Sequence, residues 1–241
     1  MKWALILGAT GGIGQVIARD LAAAGWSLYL HGNHQPDLLN SQIKQFQANY
    51  PQQDFVEIIA DFNNLENVQK IVDNVFSLDA IIAAQGITNY QLFDQVTEKQ
   101  LQSLIQVNLV APLYLIQKLQ NQLAKSAHGR ILLFGSVYGA QGSAMEVVYS
   151  TTKGALSAFA KAYAREVASL GITINVLAPG AVRTKMNQMI SEQDLQALTT
   201  EIPMGRMATP QDLSYWVQTI LDSKAQYLTG QTLYVTGGWL E

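Results

Sequence analysis

Short apolar runs alternate with longer amphipathic stretches along the whole chain. Each run is four to six residues long and largely apolar throughout, which is typical of strands buried on both faces of a sheet. Seven strands are predicted in this way, at about Trp3–Leu7, Ser27–His31, Phe55–Ala60, Ala80–Ala83, Arg130–Phe134, Thr173–Leu177 and Thr232–Val235.

Amphipathic helices are predicted between these strands, most clearly from Gly14 to Ala24, from Glu98 to about Leu123 and from about Val148 to Leu170. Strands that alternate with helices form a parallel sheet through right-handed crossovers, with helices on both faces. The predicted fold is therefore a single-domain, doubly wound α/β sandwich of the Rossmann-like type, spanning residues 1–241.

The segment from Gly180 to about Pro210 interrupts the alternation, because it follows Pro179 directly and carries several polar residues. Ligands of doubly wound sheets bind at the carboxyl ends of the strands. A loop-rich insertion at that edge is therefore predicted to be a substrate lid over residues 180–210. An ordinary surface excursion is the alternative.

Composition excludes several classes of function. The net charge is −3 and no run of basic residues is present, so nucleic acid is not an expected partner. Cysteine is absent, and His31, His34 and His128 lack the spacing of a metal site, so no metal is expected. The first apolar run is too short for a signal peptide or a membrane span, which predicts a cytoplasmic protein without a membrane partner.

A glycine-rich turn, Gly8-Ala9-Thr10-Gly11-Gly12-Ile13-Gly14, joins the first strand to the first helix. Such a turn lets backbone N–H groups approach a pyrophosphate, and the helix N-terminus adds partial positive charge. A lone glycine cluster would be compatible with a simple turn. Its place between the first strand and the first helix favours a dinucleotide site.

The end of the second strand, Leu30-His31-Gly32-Asn33-His34, bears on the type of dinucleotide. An acidic residue there would hydrogen-bond the ribose hydroxyls of NAD and repel a 2′-phosphate. No carboxylate is present, and His31, Asn33 and His34 offer hydrogen bonds to a phosphate. NADP(H) is therefore the predicted cofactor, in preference to NAD(H).

Tyr149 and Lys153 lie four residues apart on a predicted helix and so share one face. A tyrosine can give a proton to a carbonyl oxygen, but its ordinary pKa of about 10 is high for exchange at neutral pH. A neighbouring ammonium is expected to lower that pKa. Ser136, at the end of the fifth strand, is placed to bond the substrate oxygen. Taken singly, Ser136 could instead cap a turn and Lys153 could lie on a solvated face.

Several motifs occur together in one order along nearly the whole chain: Gly8-x-x-x-Gly12-x-Gly14, Gln106-Val107-Asn108-Leu109, Gly135-Ser136, Tyr149-x-x-x-Lys153 and Pro179-Gly180. In this order and spacing they resemble the short-chain dehydrogenase/reductase family. The resemblance implies catalytic roles for Ser136, Tyr149, Lys153 and Asn108. Lys153 would also bind the nicotinamide ribose, and Asn108 would distort its helix and hold a water that links the lysine to solvent.

The resemblance also implies where the cofactor binds. Asp61, after the third strand, matches the family's adenine-binding aspartate. The expected cofactor-binding residues are Gly8, Thr10, Gly11, Gly12, Ile13, Gly14, Asn33, Asp61, Phe62, Gly86, Tyr149, Lys153, Pro179, Gly180, Val182 and Thr184.

Within the family, the chain is most similar to 3-oxoacyl-(acyl-carrier-protein) reductases, through the segments Arg165–Ala168, Gly171–Val176, Ile202–Arg206 and Tyr227–Gln231. This similarity implies NADP(H)-dependent reduction of a 3-oxoacyl thioester to the 3-hydroxy product, as in fatty acid biosynthesis. It also implies a homotetramer in which the long helices around Asn108 and Tyr149 pack between subunits and the C-terminal strand near Trp239 forms another interface.

The chain departs from the family's pattern at several places. Ala83-Ala84-Gln85-Gly86 replaces the usual Asn-Asn-Ala-Gly, and Leu7 replaces a threonine. The arginine common in NADP-using members is absent, with Asn33 and Gly11 at its usual places.

Two arginines expected beside a carrier-protein site are replaced by Ala127 and Leu170, and Lys125, Arg183 and Lys185 are the candidates to supply that charge instead. Two other functions therefore stay open. One is an alcohol or sugar dehydrogenase acting on a free small ketone or alcohol. The other is a nucleotide-binding sensor without catalysis.

Overall fold

The computed structural model describes residues 1–184 and 192–239. In these ranges the chain forms the strands β1 (Lys2–Leu7), β2 (Trp26–Gly32), β3 (Phe55–Ile59), β4 (Ala80–Ala83), β5 (Arg130–Phe134), β6 (Thr173–Pro179) and β7 (Thr232–Val235). All are parallel, in one sheet of order β3-β2-β1-β4-β5-β6-β7. The predicted single-domain, doubly wound fold is confirmed.

All seven predicted strands are present, and the differences lie at their ends. β2 begins at Trp26, because Trp26 pairs with Lys2 of β1. β6 continues to Pro179, because Pro179 pairs with Val235 of β7. Pairing with a neighbour across the sheet therefore extends strands beyond the apolar run from which they are predicted.

The helices in the same ranges are α1 (Gly12–Ala23), α2 (Pro36–Asn49), α3 (Leu65–Asn74), α4 (Glu98–Ile105), α5 (Ala111–Leu123), α6 (Tyr138–Gln141), α7 (Val147–Val167), α8 (Glu192–Glu201) and α9 (Pro210–Leu221). The helix predicted over Glu98–Leu123 is α4 and α5 joined by a π-helical segment, Gln106–Val110. None of the described helices is long and apolar enough to cross a membrane.

The sequence-based prediction gives no bounds for α2, α3 and α9. α2 buries only Leu39, Ile43 and Phe46, which lie on one face at helical spacing. α9 begins with a capping box, in which the Thr209 side chain bonds the Asp212 N–H and the Asp212 side chain bonds back to the Thr209 N–H.

The sheet buries both of its faces, since successive residues of each strand point to opposite sides. In β1, Leu5 and Leu7 join the core beneath α3, α5 and α7. Ala4 and Ile6 join the core beneath α1, α2 and α9. The largely apolar strands are thus explained by a helix layer on each side.

The carboxyl ends of the central strands lie at one edge of the sheet. Leu7 of β1 pairs with both His31 of β2 and Ala83 of β4. The chain passes from β1 to β2 and β3 on one side, whereas β4 to β7 lie on the other. A crevice for ligands forms where the strand order reverses in this way.

Of the segment predicted as a lid, the structure describes residues 180–184 and 192–210. A parallel bridge pairs Val182 with Ala208, and the Arg183 N–H donates to the Ala208 carbonyl at 2.9 Å. The two ends of the segment are therefore held together, with α8 between them. Lys185 lies outside the described residues, and the lid stays a prediction.

Candidate active site

The glycine turn packs tightly against neighbouring backbone. Gly8 has a φ of +78°, and a Cβ atom there would lie 2.9 Å from the Gln85 backbone. A Cβ at Gly14 would overlap the carbonyl oxygen of Gly8. Both positions therefore require glycine. α1 follows at once, and no side chain caps its N-terminus and no acidic residue lies in the first turn of the helix. Its backbone N–H groups are therefore available to an anion, and the glycine turn fits the pyrophosphate of a dinucleotide.

The loop after β6 forms a facing wall for this turn. A Cβ at Gly12 would lie 3.2 Å from Cβ and Cγ2 of Thr184, so these two residues are in direct contact. The Gly180 N–H donates to the Val235 carbonyl at 3.1 Å, which fixes the start of the loop. Val182 is buried, so the loop turns this side chain inwards while Thr184 borders the cleft.

His31 and Phe62 lie beneath the cleft, although both were expected to face a ligand. His31 is 4% exposed and Phe62 is 3% exposed, and their rings stack at 4.3 Å between centroids. Nδ1 of His31 accepts from the Gly8 N–H at 3.2 Å, and Nε2 lies 3.0 Å from the Ala60 carbonyl oxygen. The expectation that His31 bonds a cofactor phosphate is therefore wrong, because both of its nitrogens are engaged inside the protein.

Asn33, His34 and Asp61 form the polar surface at the ends of β2 and β3. Nδ2 of Asn33 lies 3.2 Å from Nε2 of His34. A hydrogen bond from the Asn63 backbone N–H lowers the pKa of Asp61, and the Asn33 amide and the charge of His34 act in the same direction. These side chains remain accessible to a ligand at this edge.

Ser136, Tyr149 and Lys153 converge at the same edge of the sheet. The Tyr149 hydroxyl is hydrogen-bonded with Ser136, whose Oγ also accepts from the Tyr138 N–H at 3.2 Å. Nζ of Lys153 donates to the Phe134 carbonyl at 2.7 Å and lies 5.5 Å from the centre of the Tyr149 ring. Helix α7 thus carries the tyrosine and the lysine against the end of β5, which carries the serine.

The pKa values of Tyr149 and Lys153 differ from the sequence-based expectation. Burial raises the pKa of Tyr149 to about 12, and the carboxylate of Glu146 adds to the rise. Burial also lowers the pKa of Lys153 to about 8. The lysine was expected to lower the pKa of the tyrosine, but desolvation dominates both groups and the ammonium is directed at the Phe134 carbonyl.

Asn108 lies in the π-helical segment, so the helix is distorted where the family resemblance implies. Its Oδ1 accepts from the Ile87 N–H at 2.9 Å, and its Nδ2 donates to the Ile87 carbonyl at 2.8 Å. Nδ2 also lies 3.4 Å from Oγ1 of Thr152, which donates to the Tyr149 carbonyl at 2.7 Å. Asn108 therefore joins the loop after β4 to α7.

The unusual Ala83-Ala84-Gln85-Gly86 segment keeps contacts with this network. Nε2 of Gln85 donates to the Val107 carbonyl of the π-helical segment at 3.4 Å. A Cβ at Gly86 would lie 3.4 Å from Nζ of Lys153 and 3.6 Å from Oδ1 of Asn108. Gln85 thus supplies one amide contact in place of the asparagines, and Gly86 lets the loop approach the lysine.

Glu146 is a residue of the site that sequence reasoning missed. Its carboxylate accepts from Oγ1 of Thr88 at 2.6 Å and from Oγ of Ser143 at 3.4 Å. The bond to Thr88 joins the loop after β4 to the start of α7. The available signal was its place three residues before Tyr149, which puts the two on one face of the helix start.

Comparison with known proteins agrees with this geometry. Residues 2–195 match the family model described as short chain dehydrogenase. The chain belongs to the short-chain dehydrogenase family. As a member of that family it is an NAD(P)-dependent oxidoreductase that acts on alcohol or ketone groups.

Relatives and solved structures of the short-chain dehydrogenase family match along the full chain. The uncharacterised oxidoreductase YmfI of Bacillus subtilis (strain 168) is 35% identical over 244 residues, covering 99% of this chain and 98% of the relative. The 3-oxoacyl-(acyl-carrier-protein) reductase FabG of Escherichia coli (strain K12) is 32% identical, covering 98% and 96%. A crystal structure from Beutenbergia cavernae, provisionally named an NAD(P)-dependent gluconate 5-dehydrogenase and solved with NADP at low occupancy, superposes with a TM-score of 0.93 at 27% identity, covering 99% and 96%.

The buried Lys153 generates a prediction about stability. A pKa lowered from 10.5 to about 8 corresponds to roughly 3 kcal/mol against the charged form in the folded state. This cost is fully present below about pH 8 and is relieved as pH rises towards 10.5, because the folded protein then releases the proton before the unfolded chain does. Lys153→Met should therefore raise the free energy of unfolding at pH 7 by about 1–2 kcal/mol after loss of the bond to Phe134, and the melting temperature should rise with it.

Thermal unfolding of the protein without ligand measures this effect. The matched control is Lys161→Met, at an exposed position of the same helix, which should change the melting temperature little. The difference in melting temperature between Lys153→Met and the wild type should shrink as the pH is raised above 8. A lower melting temperature than wild type at pH 7 would show that the ammonium stabilises the fold.

Proposed function

We propose that the protein reduces a 3-oxoacyl thioester to the 3-hydroxy product with NADPH, as a step of fatty acid biosynthesis. The observation that carries the proposal is the convergence of Ser136, Tyr149 and Lys153 beside the loop of Gly86, at the edge that holds the glycine turn. Full-length similarity to FabG of Escherichia coli supports a thioester substrate, with acyl carrier protein as its carrier.

In the proposed reaction the substrate carbonyl lies between Ser136 and Tyr149. The nicotinamide, when bound, supplies a hydride to the carbonyl carbon. Ser136 donates a hydrogen bond to the carbonyl oxygen, and Tyr149 transfers its phenolic proton to that oxygen, which yields a secondary alcohol and a phenolate. A pKa of about 12 keeps the Tyr149 proton in place at neutral pH until it is needed.

Lys153 and Asn108 complete the proposed proton pathway. The phenolate left on Tyr149 is stabilised by the ammonium of Lys153, whose pKa of about 8 suits exchange with solvent near neutral pH. Asn108 would hold a water on the route from the lysine to bulk solvent. Its π-helical segment supports this role, because such segments are rare and occur frequently at functional sites.

The environment of Gly32 supports NADP(H) as the cofactor. Position 32 carries no carboxylate, and an added Cβ would lie 3.1 Å from Cγ2 of Thr10 and 3.3 Å from Cδ2 of Leu39, so a side chain is crowded there. Asn33 and His34 lie at the strand end beyond it and would bond a 2′-phosphate. The Beutenbergia cavernae protein, which binds NADP, has the same fold.

The proposal for NADP(H) is tested by Gly32→Asp, with Gly32→Asn as the control of the same shape without charge. Gly32→Asp should weaken NADPH binding at least tenfold and NADH binding much less, because a carboxylate repels the 2′-phosphate. Fluorescence titration gives both dissociation constants. If both variants lose the same NADPH affinity, the effect is due to packing and not to charge. Tighter binding of NADH than of NADPH by the wild type would refute the proposed preference.

Fewer basic residues border the active site than the sequence suggests for contact with an acyl carrier protein. Arg183 is exposed on the loop after β6, at the edge of the sheet that carries the site. Lys125 follows α5 and precedes β5, which places it near the opposite edge of the same subunit. Lys125 therefore does not border its own subunit's site, and Arg183 remains the candidate contact among the described residues.

An alcohol or sugar dehydrogenase acting on a free small molecule is the second candidate. Ala127 and Leu170 favour it, since they replace arginines expected at a carrier-protein site. The fold match to the protein provisionally named a gluconate 5-dehydrogenase also favours it. A sensor without catalysis is the third reading, and the hydrogen-bonded Ser136 and Tyr149 argue against it.

Substrate and catalysis are tested together by following NADPH and NADH absorbance with acetoacetyl-CoA, an acetoacetyl carrier protein and a panel of free ketones. Tyr149→Phe should lower turnover at least a hundredfold and leave the NADPH dissociation constant within about threefold. The matched control is Tyr163→Phe on the same helix, whose hydroxyl donates to Oε1 of Gln120 at 2.6 Å, and it should keep its activity.

Each outcome of this assay selects one function. Turnover of the carrier-protein substrate alone, or with the CoA thioester, supports the thioester reductase. Turnover of free ketones alone supports the second candidate. Dinucleotide binding without any turnover supports the sensor, and retained turnover in Tyr149→Phe would refute the tyrosine as proton donor.

We propose that four copies of the chain assemble, with one interface around α4, α5 and α7 and another at β7. β7 is an edge strand without charged residues, and Tyr234 on it is exposed. Val235, at the end of the strand, lines a cleft together with the aromatic side chains of Tyr215 and Trp216 of α9. An uncharged edge strand flanked by aromatic side chains is usually covered by protein.

Light scattering should give the mass of four chains for the wild type. Tyr234→Asp should yield smaller species, because a buried unpaired charge destabilises an interface. Ile59→Asp, at an exposed position on the opposite edge strand β3, is the matched control and should remain tetrameric. A monomeric wild type would overturn the proposed assembly.

A further inference from the structure

His31 joins three segments that surround the adenine end of the cleft. It lies on β2, its Nδ1 accepts from the Gly8 N–H of the glycine turn, and its Nε2 bonds the Ala60 carbonyl after β3. Its ring also stacks on Phe62 with an angle of 9° between the planes. A single buried side chain therefore connects the turn after β1 with the segment that carries Asp61.

These contacts specify the neutral ring with its proton on Nε2. Nε2 must donate to the Ala60 carbonyl, and the lone pair of Nδ1 then receives the Gly8 N–H. Burial lowers the pKa of His31 to about 4, which keeps this form at neutral pH. The titratable groups on the surrounding segments are His34, on the same strand end, and Asp61, next to Ala60; the glycine turn has none.

The bond to Gly8 matters because the conformation of that residue is closely constrained. Gly8 is already confined by the Gln85 backbone on one side and by Gly14 on the other. Loss of the Nδ1 acceptor would leave a partly buried N–H without its partner and would remove one of the contacts that fix the turn. A shift of the turn would carry the start of α1 with it.

We propose that His31 is a positioning residue for dinucleotide binding, which fixes the glycine turn through its bond to Gly8 while its bond to Ala60 orients the ring. The proposal rests on the proposed cofactor site along this edge. His31 is buried beneath the cleft, so it acts through the two segments that it joins. An apolar side chain of similar volume fills the space but supplies neither bond.

The test compares His31→Asn, His31→Gln and His31→Leu in the full chain. Asparagine places its Oδ1 where Nδ1 of histidine stands, so it keeps an acceptor for Gly8. Glutamine reaches instead towards Ala60, and leucine bonds neither. Fluorescence titration with NADPH at pH 7.5 should show weakening of no more than about threefold for Asn and at least tenfold for Gln and Leu.

A matched control separates positioning from stability. Tyr29→Phe removes another side-chain bond of β2, in which the Tyr29 hydroxyl accepts from the Phe76 N–H at 3.2 Å, away from the glycine turn. It should lower the melting temperature without changing the NADPH dissociation constant. His31→Asn and His31→Gln, compared at similar melting temperature, should still differ in affinity.

The outcomes separate this inference from the proposed function. A wild type that binds neither dinucleotide overturns the proposed cofactor site. A wild type that binds NADPH while all three His31 variants bind it equally well overturns the positioning role alone. If His31→Leu does not fold, the NADPH affinities of His31→Asn and His31→Gln decide the question. Tighter binding by His31→Gln than by His31→Asn contradicts the proposal.

Discussion

The hydrogen bond from the Lys153 ammonium to the Phe134 carbonyl joins the longest described helix to the strand that ends beside Ser136. It holds α7 at a fixed height above the end of β5, so that Tyr149 meets Ser136. The ammonium is almost fully buried, and a single acceptor, the Phe134 carbonyl, offsets only part of its desolvation. The position of the reacting groups thus depends on a buried polar contact rather than on apolar packing alone.

The same principle recurs around the cleft. Asn108 bonds both backbone groups of Ile87, and His31 bonds Gly8 and Ala60. In each case one polar side chain satisfies backbone groups of a loop that lacks a regular ladder. The apolar cores on the two faces of the sheet hold the layers together, whereas these polar contacts give the loops at its edge a defined shape.

The fold was predictable because strands buried on both faces leave a simple apolar signal, and the motif order placed Ser136, Tyr149 and Lys153. Other features depend on contacts between distant residues. His31 is unavailable to a ligand because its ring nitrogens bond Gly8 and Ala60, and the sequence of β2 alone does not show these contacts. The proton affinity of Tyr149 follows from burial in the folded site, whereas helical spacing shows only its nearness to Lys153. α2 escaped prediction because three buried residues in a polar helix give a weak periodic signal.

The close approach of Gly8 to Gln85 has a consequence for redesign of the protein. Gly8 meets main-chain atoms at this junction, namely Cα and N of Gln85 and the carbonyl carbon of Ala84. The side chains of residues 84 and 85 take no part in this junction, whereas the length and path of the segment do. Directed libraries that vary these identities keep the junction intact, but an insertion or deletion of one residue would force β1 and β4 apart where they converge.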